Sequence, residues 1–436
     1  MYCPRLNLFC LAVVALLLRT SAAPAPIEPG FVSLFDGQSL KGWTFVGKSG
    51  GGYRARDGVL VCEPGTEGNL FTEKQYSDFV LRFEFMLPTP GANNGIAIRS
   101  PLNERASSEG MEIQVLEESG AEKKYGPLQP EQFHGSVYDC IAAKRGALKP
   151  PGEWNTEEIM AQGRQIKVTV NGQVILDADL NSVTNLEKIA KHPGLFRPSG
   201  HIGFLGHQDQ VEFRRIRIWE SAAVAKPAEV PAGFVTLFNG RDLTGWQGTL
   251  LDPNNNPYKR AALTADQRAA AQAKADEQAK RDWKVEGGEL VYRGQGYDNL
   301  GTARDYKNFE MVCEWKIEPK GDSGIYLRGT PQVQIWEPQT DGNPKHEGSG
   351  GLYNNQKSAT GPLKLADRPI GEWNQFRIIL AGDKVHVFLN GELVVNGLAL
   401  ENYWDRAQPL LPLGPVELQA HKNPVRFRNL AIREIP

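Results

Sequence analysis

The amino-acid sequence repeats itself once over nearly its whole length, and this repeat limits what the chain can fold into. Residues 31–43 return as residues 234–246, with Leu-Phe-Asp/Asn-Gly and a closing Gly-Trp at the same spacing. Further landmarks return in the same order: 57–61 and 287–291, 94–99 and 323–328, 112–117 and 332–337, 152–155 and 371–374, 171–172 and 390–391, 207–214 and 421–428. The period of about two hundred residues is far longer than a solenoid unit. The chain is therefore predicted to contain two copies of one domain.

We expect the first copy to span residues 30–220 and the second copy to span residues 234–436. Residues 221–233 between them are rich in Ala and Pro, which is typical of a linker. Residues 1–23 combine a basic start, a short apolar run and a small-residue end, which predicts a secretory signal peptide cleaved after Ala23. A retained N-terminal anchor is the alternative. The expected location is therefore periplasmic or extracellular.

Charge and cysteine content argue against several classes of partner. The formal net charge is −2, with no basic stripe or polybasic run. We therefore expect no binding to nucleic acid, and no membrane span once the signal peptide is cleaved. Cys62, Cys140 and Cys313 remain after cleavage, an odd and sparse set that does not form a disulfide framework. Pairing of Cys62 with Cys140 is left open. The sequence has no zinc-binding signature.

Both copies have the pattern of β-rich domains. Apolar and polar residues alternate through residues 79–87 and 309–317, which predicts strands. Asn171-Gly172 and Asn390-Gly391 each separate two alternating runs, the strongest short signal for a hairpin. Many short strands and few helices predict an all-β fold, with an antiparallel sandwich or jelly roll in each copy.

Residues 261–281 form an insertion found only in the second copy. The segment is rich in Ala, Lys, Glu and Gln, which are strong helix formers. Thr264 and Gln267 have the spacing of a capping box, so a helix is predicted to start there. Because its apolar residues are nearly all Ala, we expect a helix packed thinly on the surface. The favoured interpretation is a solvated excursion without function.

Polar residues on the predicted strands suggest a sugar-binding surface. Alternate residues of a strand share one face, so Glu112 shares a face with Gln114, and Gln332 shares one with Gln334. Amide and guanidinium groups suit sugar hydroxyls, and aromatic rings stack on sugar rings. An ordinary solvated sheet face is the alternative, and Tyr138 and Tyr353 fit a core role as well as stacking. The predicted substrate-binding residues are Arg99, Gln114, Tyr138, Arg328, Gln334, Trp336 and Tyr353.

His207 and His421 occupy the same position in the two copies, just before a Val-x-Phe-Arg strand. The whole chain contains only seven histidines, so the match between these two favours a shared role. Histidine exchanges protons near neutral pH, which makes both residues candidates for proton transfer. A structural histidine at the start of a strand is the alternative.

These motifs together resemble the 3-keto-disaccharide hydrolase family. The resemblance is carried by the Leu-Phe-Asp/Asn-Gly opening, the Gly-Ile-x-x-Arg strand, the Glu/Gln-x-Gln segment, the Gly-Glu-Trp-Asn turn and the His…Val-x-Phe-Arg ending. The second copy is similar to the long form of the family, through its Ala-rich insertion and residues 348–355 and 401–404. The resemblance implies a concanavalin A-like jelly roll for each copy. It also implies action on glycosides that carry a ketone at sugar C3.

Such a ketone acidifies the neighbouring C2 hydrogen. The implied reaction removes the C2 proton, expels the C1 substituent and adds water, which gives net hydrolysis. It needs a base, a group that stabilises the enolate and an acid. We expect His207 and His421 to transfer protons, and Arg99 and Arg328 to hold the enolate.

Carboxylates supply further candidates. Glu112 is a second possible base in the first copy, whereas the second copy has Gln332 at that position. Glu337, or else Glu314, is the substitute there. No cofactor is evident, and a divalent metal ion held by oxygen and histidine ligands is left open.

A non-catalytic carbohydrate-binding protein is the main alternative function, because fold does not fix function. Two linked weak sites also bind a polymer better than one site does. One catalytic copy beside one binding copy is a third interpretation. A two-carboxylate glycosidase is disfavoured, since the second copy lacks a matched carboxylate pair on one strand face.

Overall fold

A computed structural model of the chain describes residues 27–47, 51–220, 230–294, 296–339 and 342–435. The predicted signal peptide and residues 221–229 of the predicted linker lie outside these residues. The described part of the chain forms two β-rich domains, one for each copy, and each domain contains two antiparallel sheets. This confirms the predicted all-β class and the tandem arrangement.

The first copy contains thirteen strands within its described residues. They are β1 (Val32–Ser33), β2 (Trp43–Val46), β3 (Tyr53–Arg56), β4 (Val59–Cys62), β5 (Glu67–Tyr76), β6 (Phe79–Met86), β7 (Asn93–Ser100), β8 (Met111–Leu116), β9 (Trp154–Gln162), β10 (Gln165–Val170), β11 (Gln173–Asp179), β12 (Gly200–His207) and β13 (Val211–Glu220). The larger sheet has the order β11-β10-β9-β6-β13-β4-β3, with β1 added beside β13. The smaller sheet has the order β2-β5-β12-β7-β8.

The second copy repeats this layout. Its strands are β14 (Val235–Thr236), β15 (Trp246–Gly248), β16 (Trp283–Glu286), β17 (Glu289–Tyr292), β18 (Leu300–Thr302), β19 (Phe309–Ile317), β20 (Asp322–Leu327), β21 (Thr330–Trp336), β22 (Asn374–Ala381), β23 (Lys384–Leu389), β24 (Glu392–Ala399), β25 (Glu417–Leu418) and β26 (Val425–Glu434). The larger sheet has the order β16-β17-β26-β19-β22-β23-β24, with β14 beside β26. The smaller sheet has the order β15-β18-β25-β20-β21.

The core of each copy lies between its two sheets. In the first copy, β6 buries every second residue, as the alternation predicts. The rings of Phe204 on the smaller sheet and Phe213 on the larger sheet meet with centroids 4.4 Å apart. Asn171 and Asn390 both adopt positive φ, followed by glycines that do the same, as a two-residue hairpin turn requires. The predicted hairpins are therefore confirmed.

Helices are few and short, apart from one in the second copy. They are α1 (Ala106–Glu109), α2 (Glu118–Tyr125), α3 (Leu186–Lys191), α4 (Pro257–Ala261) and α5 (Ala265–Asp282). The capping box of Thr264 and Gln267 starts α5 as predicted, with both reciprocal hydrogen bonds present. Helix α5 lies along edge strand β15, where the Gln272 amide donates to the Gly248 carbonyl at 2.8 Å.

The two copies pack directly against each other. Phe196 of the first copy meets Phe388 of the second edge to face, with centroids 5.2 Å apart. The Arg377 guanidinium lies 3.5 Å from the Phe196 ring centroid and donates to the Asn181 side chain at 2.5 Å. The first copy therefore covers part of the outer face of the second copy's larger sheet.

Two further sequence expectations concern cysteines and membranes. Cys62, Cys140 and Cys313 are all free thiols, so the pairing of Cys62 with Cys140 does not form. Among the residues that the structure describes, none of the helices is both long and apolar enough to span a bilayer.

Candidate functional site

The outer face of the second copy's smaller sheet holds a cavity of about 490 Å³, which we call the groove. It forms there because alternate residues point outward from the strands. Val416, Leu418 and Ala420 are buried in the core, which leaves Gln419 and His421 on the groove side. The neighbouring strands β20 and β21 contribute Asp322, Tyr326, Gln332, Gln334 and Trp336 to the lining.

A chain of polar side chains runs across the floor of the groove. His421 Nδ1 lies 3.1 Å from Asp322 Oδ2. The Gln334 amide donates to Asp322 Oδ1 at 2.9 Å, and the Gln332 amide donates to Gln334. The hydrogen bond to Asp322 raises the pKa of His421 above its ordinary value. His421, Gln334 and Asp322 therefore form one connected unit that the sequence could not assemble.

Aromatic side chains form the walls of the groove. Trp336 and Tyr353 meet at a centroid distance of 5.3 Å and a steep angle. Trp336 is held in place because its indole N–H donates to the Gly348 carbonyl at 3.1 Å. Tyr403 and Trp404 line the cavity from another loop. Rings fixed in this way offer flat apolar surfaces to a sugar, beside polar groups that suit its hydroxyls.

Glu417 is a candidate that our sequence analysis missed. It lies on β25 opposite Tyr326 of β20, is only 4% exposed, and does not itself line the groove. Burial raises the pKa of Glu417 to about 6. The signal was present in the run Glu417-Leu-Gln-Ala-His421, where polar and apolar residues alternate into the predicted histidine.

The matching face of the first copy is filled with apolar side chains. By the alignment of the repeats, Gly203, Leu205 and Ala97 stand where the second copy has Glu417, Gln419 and Tyr326. Phe71 takes the place of Gly301 and packs directly over Gly203, since a Cβ on Gly203 would lie 2.4 Å from the Phe71 ring. Phe71, Ala97 and Leu205 form a small apolar cluster with Ala106 of α1. We call this cluster the plug.

His207 lies apart from Glu112, Gln114 and Tyr138 of the first copy, which lie near one another. His207 is exposed at a separate cavity of about 370 Å³, whose other polar lining includes Glu67, Asn69 and Glu104. Glu112 and Gln114 are each 4% exposed, and burial raises the pKa of Glu112 to about 8. Segment 135–138 runs beside them, where the Tyr138 N–H donates to the Glu112 carbonyl. Tyr138 is half-buried, and its hydroxyl accepts a weak hydrogen bond from Gln132.

Arg99 and Arg328 have structural surroundings, contrary to our expectation. Arg99 is 1% exposed and donates to the carbonyls of Ser77 and Gly163 and to Asp78. Arg328 is 3% exposed and donates to the carbonyls of Lys307 and Leu411 and to Asn308. Both have positive φ, which turns each side chain away from the strand's regular alternation. The enolate-holding role is therefore withdrawn for both.

The carboxylates proposed for the second copy also lie elsewhere. Glu337 accepts the backbone N–H of Lys320 at 2.6 Å and so closes a turn. Glu314 pairs with Arg428 at 2.6 Å on the larger sheet. Neither residue lines the groove. Their roles as substitutes for Glu112 are corrected accordingly.

Residues just before the predicted insertion contribute to the groove. Asp252, Asn255, Asn256 and Lys259, which lead into and begin α4, form one rim of the cavity. Helix α5 contacts the α4 end of this rim, because the Arg268 side chain donates to the Arg260 carbonyl at 3.1 Å. The Ala-rich pattern showed only that a helix would form. It could not show what the helix holds in place.

His421 and Asp322 are also the kinds of side chain that bind metals. In the described ranges, no group of three or more His, Cys, Asp or Glu side chains is arranged to hold a metal ion. A divalent ion with further ligands from amides or substrate stays a prediction of the sequence analysis.

Comparisons with known proteins agree with the repeat and with its type. The sequence matches the 3-keto-alpha-glucoside-1,2-lyase-like domain over residues 30–219 and again over residues 233–433. A 3-keto-disaccharide hydrolase of Bacteroides thetaiotaomicron is 26% identical over 227 residues, which are 43% of this chain and 78% of that protein. Two solved structures are candidate glycosyl hydrolases of Parabacteroides distasonis. One is 24% identical with a TM-score of 0.38, over 44% of this chain and 99% of its own. The other is 26% identical with a TM-score of 0.33, over 47% and 85%.

Proposed function

The chain belongs to the 3-keto-alpha-glucoside-1,2-lyase-like domain family in both of its halves, and from this premise we propose that its second copy cleaves 3-keto-glycosides in the groove. The observation that carries the proposal is the contact of His421 with Asp322 at the edge of a sugar-sized polar cavity. The first copy, whose matching face is filled by the plug, is proposed not to catalyse the reaction.

His421 is proposed as the base. With its Nδ1–H directed to Asp322, the neutral imidazole keeps a lone pair on Nε2. Asp322 also stabilises the imidazolium that forms when Nε2 takes a proton, which is why the pKa of His421 is raised. A base whose pKa is raised above the ordinary histidine value is well suited to a proton that a neighbouring ketone has acidified.

Tyr326 is proposed to donate a hydrogen bond to the enolate oxygen. Burial raises the pKa of Tyr326, so its hydroxyl keeps its proton at neutral pH. The Gln419 amide lies 3.5 Å from the Tyr326 oxygen and helps to orient it. Fixed donors that point to a developing negative charge lower the barrier by up to a few kcal/mol each. This replaces the role that the sequence analysis gave to Arg328.

The proposed reaction balances without an oxidant or a metal. The C2–H bond breaks, its proton moves to His421, and its electron pair forms the enolate with C3. The enolate then re-forms the C3 ketone, makes a C1–C2 double bond and releases the C1 oxygen, which takes a proton from protonated His421. Water adds its oxygen to C1 and a proton to C2, so that the glycosidic bond is hydrolysed overall.

The first test compares a 3-keto-glucoside with its unoxidised parent, with products measured by mass spectrometry. We expect release of the C1 substituent from the ketone only, with an unsaturated keto-sugar detectable on the way. Equal cleavage of both compounds would contradict elimination, because the parent lacks an acidic C2 hydrogen.

The second test compares the paired histidines. We expect His421→Ala to lose about 10²–10⁴ of kcat, the usual contribution of a positioned base. His207→Ala changes the equivalent residue of the plugged copy and is expected to leave kcat unchanged. Equal losses of kcat in both variants would contradict the proposal that the second copy catalyses the reaction.

A carbohydrate-binding role without turnover is the second candidate. It is favoured by the aromatic walls of Trp336 and Tyr353, which offer stacking surfaces without any need for proton transfer. Saturable binding of a glycan, with no product from either compound, would support this role over catalysis.

A further inference from the structure

We propose that the groove is closed at one end by a wall built partly from the segment inserted in the second copy, so that it admits only the terminal ring of a glycoside. This inference rests on the proposed function, because it states how the same groove selects its substrate. The open end lies at His421, and the closed end lies at the turn between β20 and β21.

The wall begins with segment 401–406. The Trp404 indole N–H donates to the carbonyl of Gly329, which lies in the β20–β21 turn, at 2.8 Å. Asn402 is 3% exposed, and its amide donates to the Tyr258 hydroxyl at 2.7 Å. Tyr258 belongs to α4, so this hydrogen bond ties the inserted segment to the loop across the end of the groove.

A third segment, residues 354–358, is joined to the same loop. Glu401 accepts the N–H groups of Gln356 and Lys357 at 2.9 and 2.7 Å. Arg406 donates to the Asn354 carbonyl at 2.6 Å. The three segments are therefore linked by side-chain hydrogen bonds, and each contributes residues to the groove lining. Such a linked set is harder to displace than a single loop.

The opposite end of the groove is accessible. The His421 side chain is 42% exposed, and Tyr297, which packs against it, is 55% exposed. Gln419 and His421 follow β25 and both line the groove, so its floor extends from the end of β25 to the exposed His421. A ring bound against the wall would point its C1 substituent to the open end. A sugar attached to its far side would meet Trp404.

Within the described residues, the first copy lacks the inserted part of this wall. Only residues 47–52 separate β2 from β3, whereas residues 249–282 separate β15 from β16. The wall and the unplugged groove therefore occur together in the second copy, as expected if both serve one substrate.

The test uses two substrates on the full chain. One is an aryl 3-keto-glucoside, and the other carries a further glucosyl unit on O4 of the oxidised ring. We expect the wild type to prefer the first by about 100-fold in kcat/KM, the scale on which a closed pocket rejects an oversized group. Values within threefold of each other would overturn the inference. If neither compound reacts, the proposed function is contradicted, but the inference about the wall can still be tested. The binding affinities of the two unoxidised glycosides are then compared, and a preference of about 100-fold for the shorter one is expected.

Two variants locate the selectivity in the wall. Trp404→Ala removes the ring at the closed end and is expected to lower the preference to about tenfold or less. Tyr258→Phe cuts only the hydrogen bond to Asn402 and is expected to lower the preference part of the way. Tyr125→Phe removes an equally exposed hydroxyl from the first copy and is the matched control, with unchanged preference expected. An unchanged preference in Trp404→Ala would also overturn the inference.

Discussion

At the scale of single residues, equivalent positions of the two copies carry side chains with different chemistry. Glu112 and Gln332 occupy the same place on the edge strand of the smaller sheet, and each packs over a glycine. The carboxylate of Glu112 is buried, which raises its pKa to about 8. Gln332 carries no charge and joins the polar floor of the groove. At this one position, the first copy therefore has a buried side chain that titrates, and the second copy has a neutral side chain that can hydrogen-bond to a ligand.

Glu112 should make the stability of the first copy depend on pH. Its pKa is about 8 when folded and about 4.5 when unfolded. Between these values the folded state holds the proton more tightly, so the free energy of unfolding falls as pH rises. The substitution Glu112→Gln introduces the residue found in the second copy. We expect it to make the decrease in the free energy of unfolding between pH 5 and pH 8 smaller by about 1 kcal/mol or more. Urea unfolding at both pH values measures it. An identical fall in wild type and variant would contradict the assigned pKa.

At the scale of secondary-structure elements, the sequence alone predicts helix α5, whereas the packing of α5 determines what it does. The capping box and Ala content are sufficient for a helix. The docking depends on Gly248 in β15, because a Cβ there would lie 2.1 Å from the Ala275 carbonyl oxygen. The helix thereby holds the rim formed by residues 252–259 against the groove.

Gly248→Ala should therefore weaken the groove through α5. The added methyl group collides with helix backbone, and overpacking of this kind costs roughly 1–3 kcal/mol. We expect a higher Kd for a glycoside and a lower unfolding temperature. Ala273→Gly, on the exposed side of α5, weakens the helix by about 1 kcal/mol without touching the docking contact. It is expected to lower stability but to leave the Kd unchanged. An unchanged Kd in Gly248→Ala would show that α5 does not position the rim.

At the scale of the whole molecule, the two copies form one packed unit. Ile379, Phe388 and Leu393 of the second copy belong to the apolar cluster of the first. Beside them, Arg377 and Arg433 both pair with Glu310. The side chains of Arg377 and Glu310 are almost fully buried, and that of Arg433 is mostly buried. Burial lowers the pKa of Arg377 to about 10, which still leaves it charged at neutral pH. Separation of the copies would break the hydrogen bond of Arg377 to Asn181 and its contact with the Phe196 ring.

Loss of Phe196 should uncouple the two copies. Its ring is fully buried between Phe388 and Arg377, and Phe→Ala at such a site costs about 3–5 kcal/mol. We expect calorimetry to show one unfolding transition in the wild type and two in Phe196→Ala. Phe79→Ala removes an equally buried ring from inside the first copy and is expected to lower a single transition. A single transition in both variants would mean that the interface does not couple the copies.

The sequence by itself determined the duplication, the all-β class, the two Asn-Gly hairpins and the start of α5. These features depend on local spacing and local backbone preference, which a sequence displays directly. It also placed Gln332 and Gln334 on one face of a strand, because alternation along a strand is a local property. Export stays a prediction, since residues 1–23 lie outside the described residues.

Only the tertiary structure decided which copy keeps an open groove. That choice depends on Phe71 filling the space over Gly203, and these residues meet only because β5 pairs with β12 across a long stretch of chain. The same reason explains Arg99 and Arg328, whose partners come from distant loops. It also explains Asp322, which gains its role only where β20 lies beside the chain that follows β25. Contacts between distant segments depend on register and packing, and one strand's pattern does not reveal what its neighbour brings.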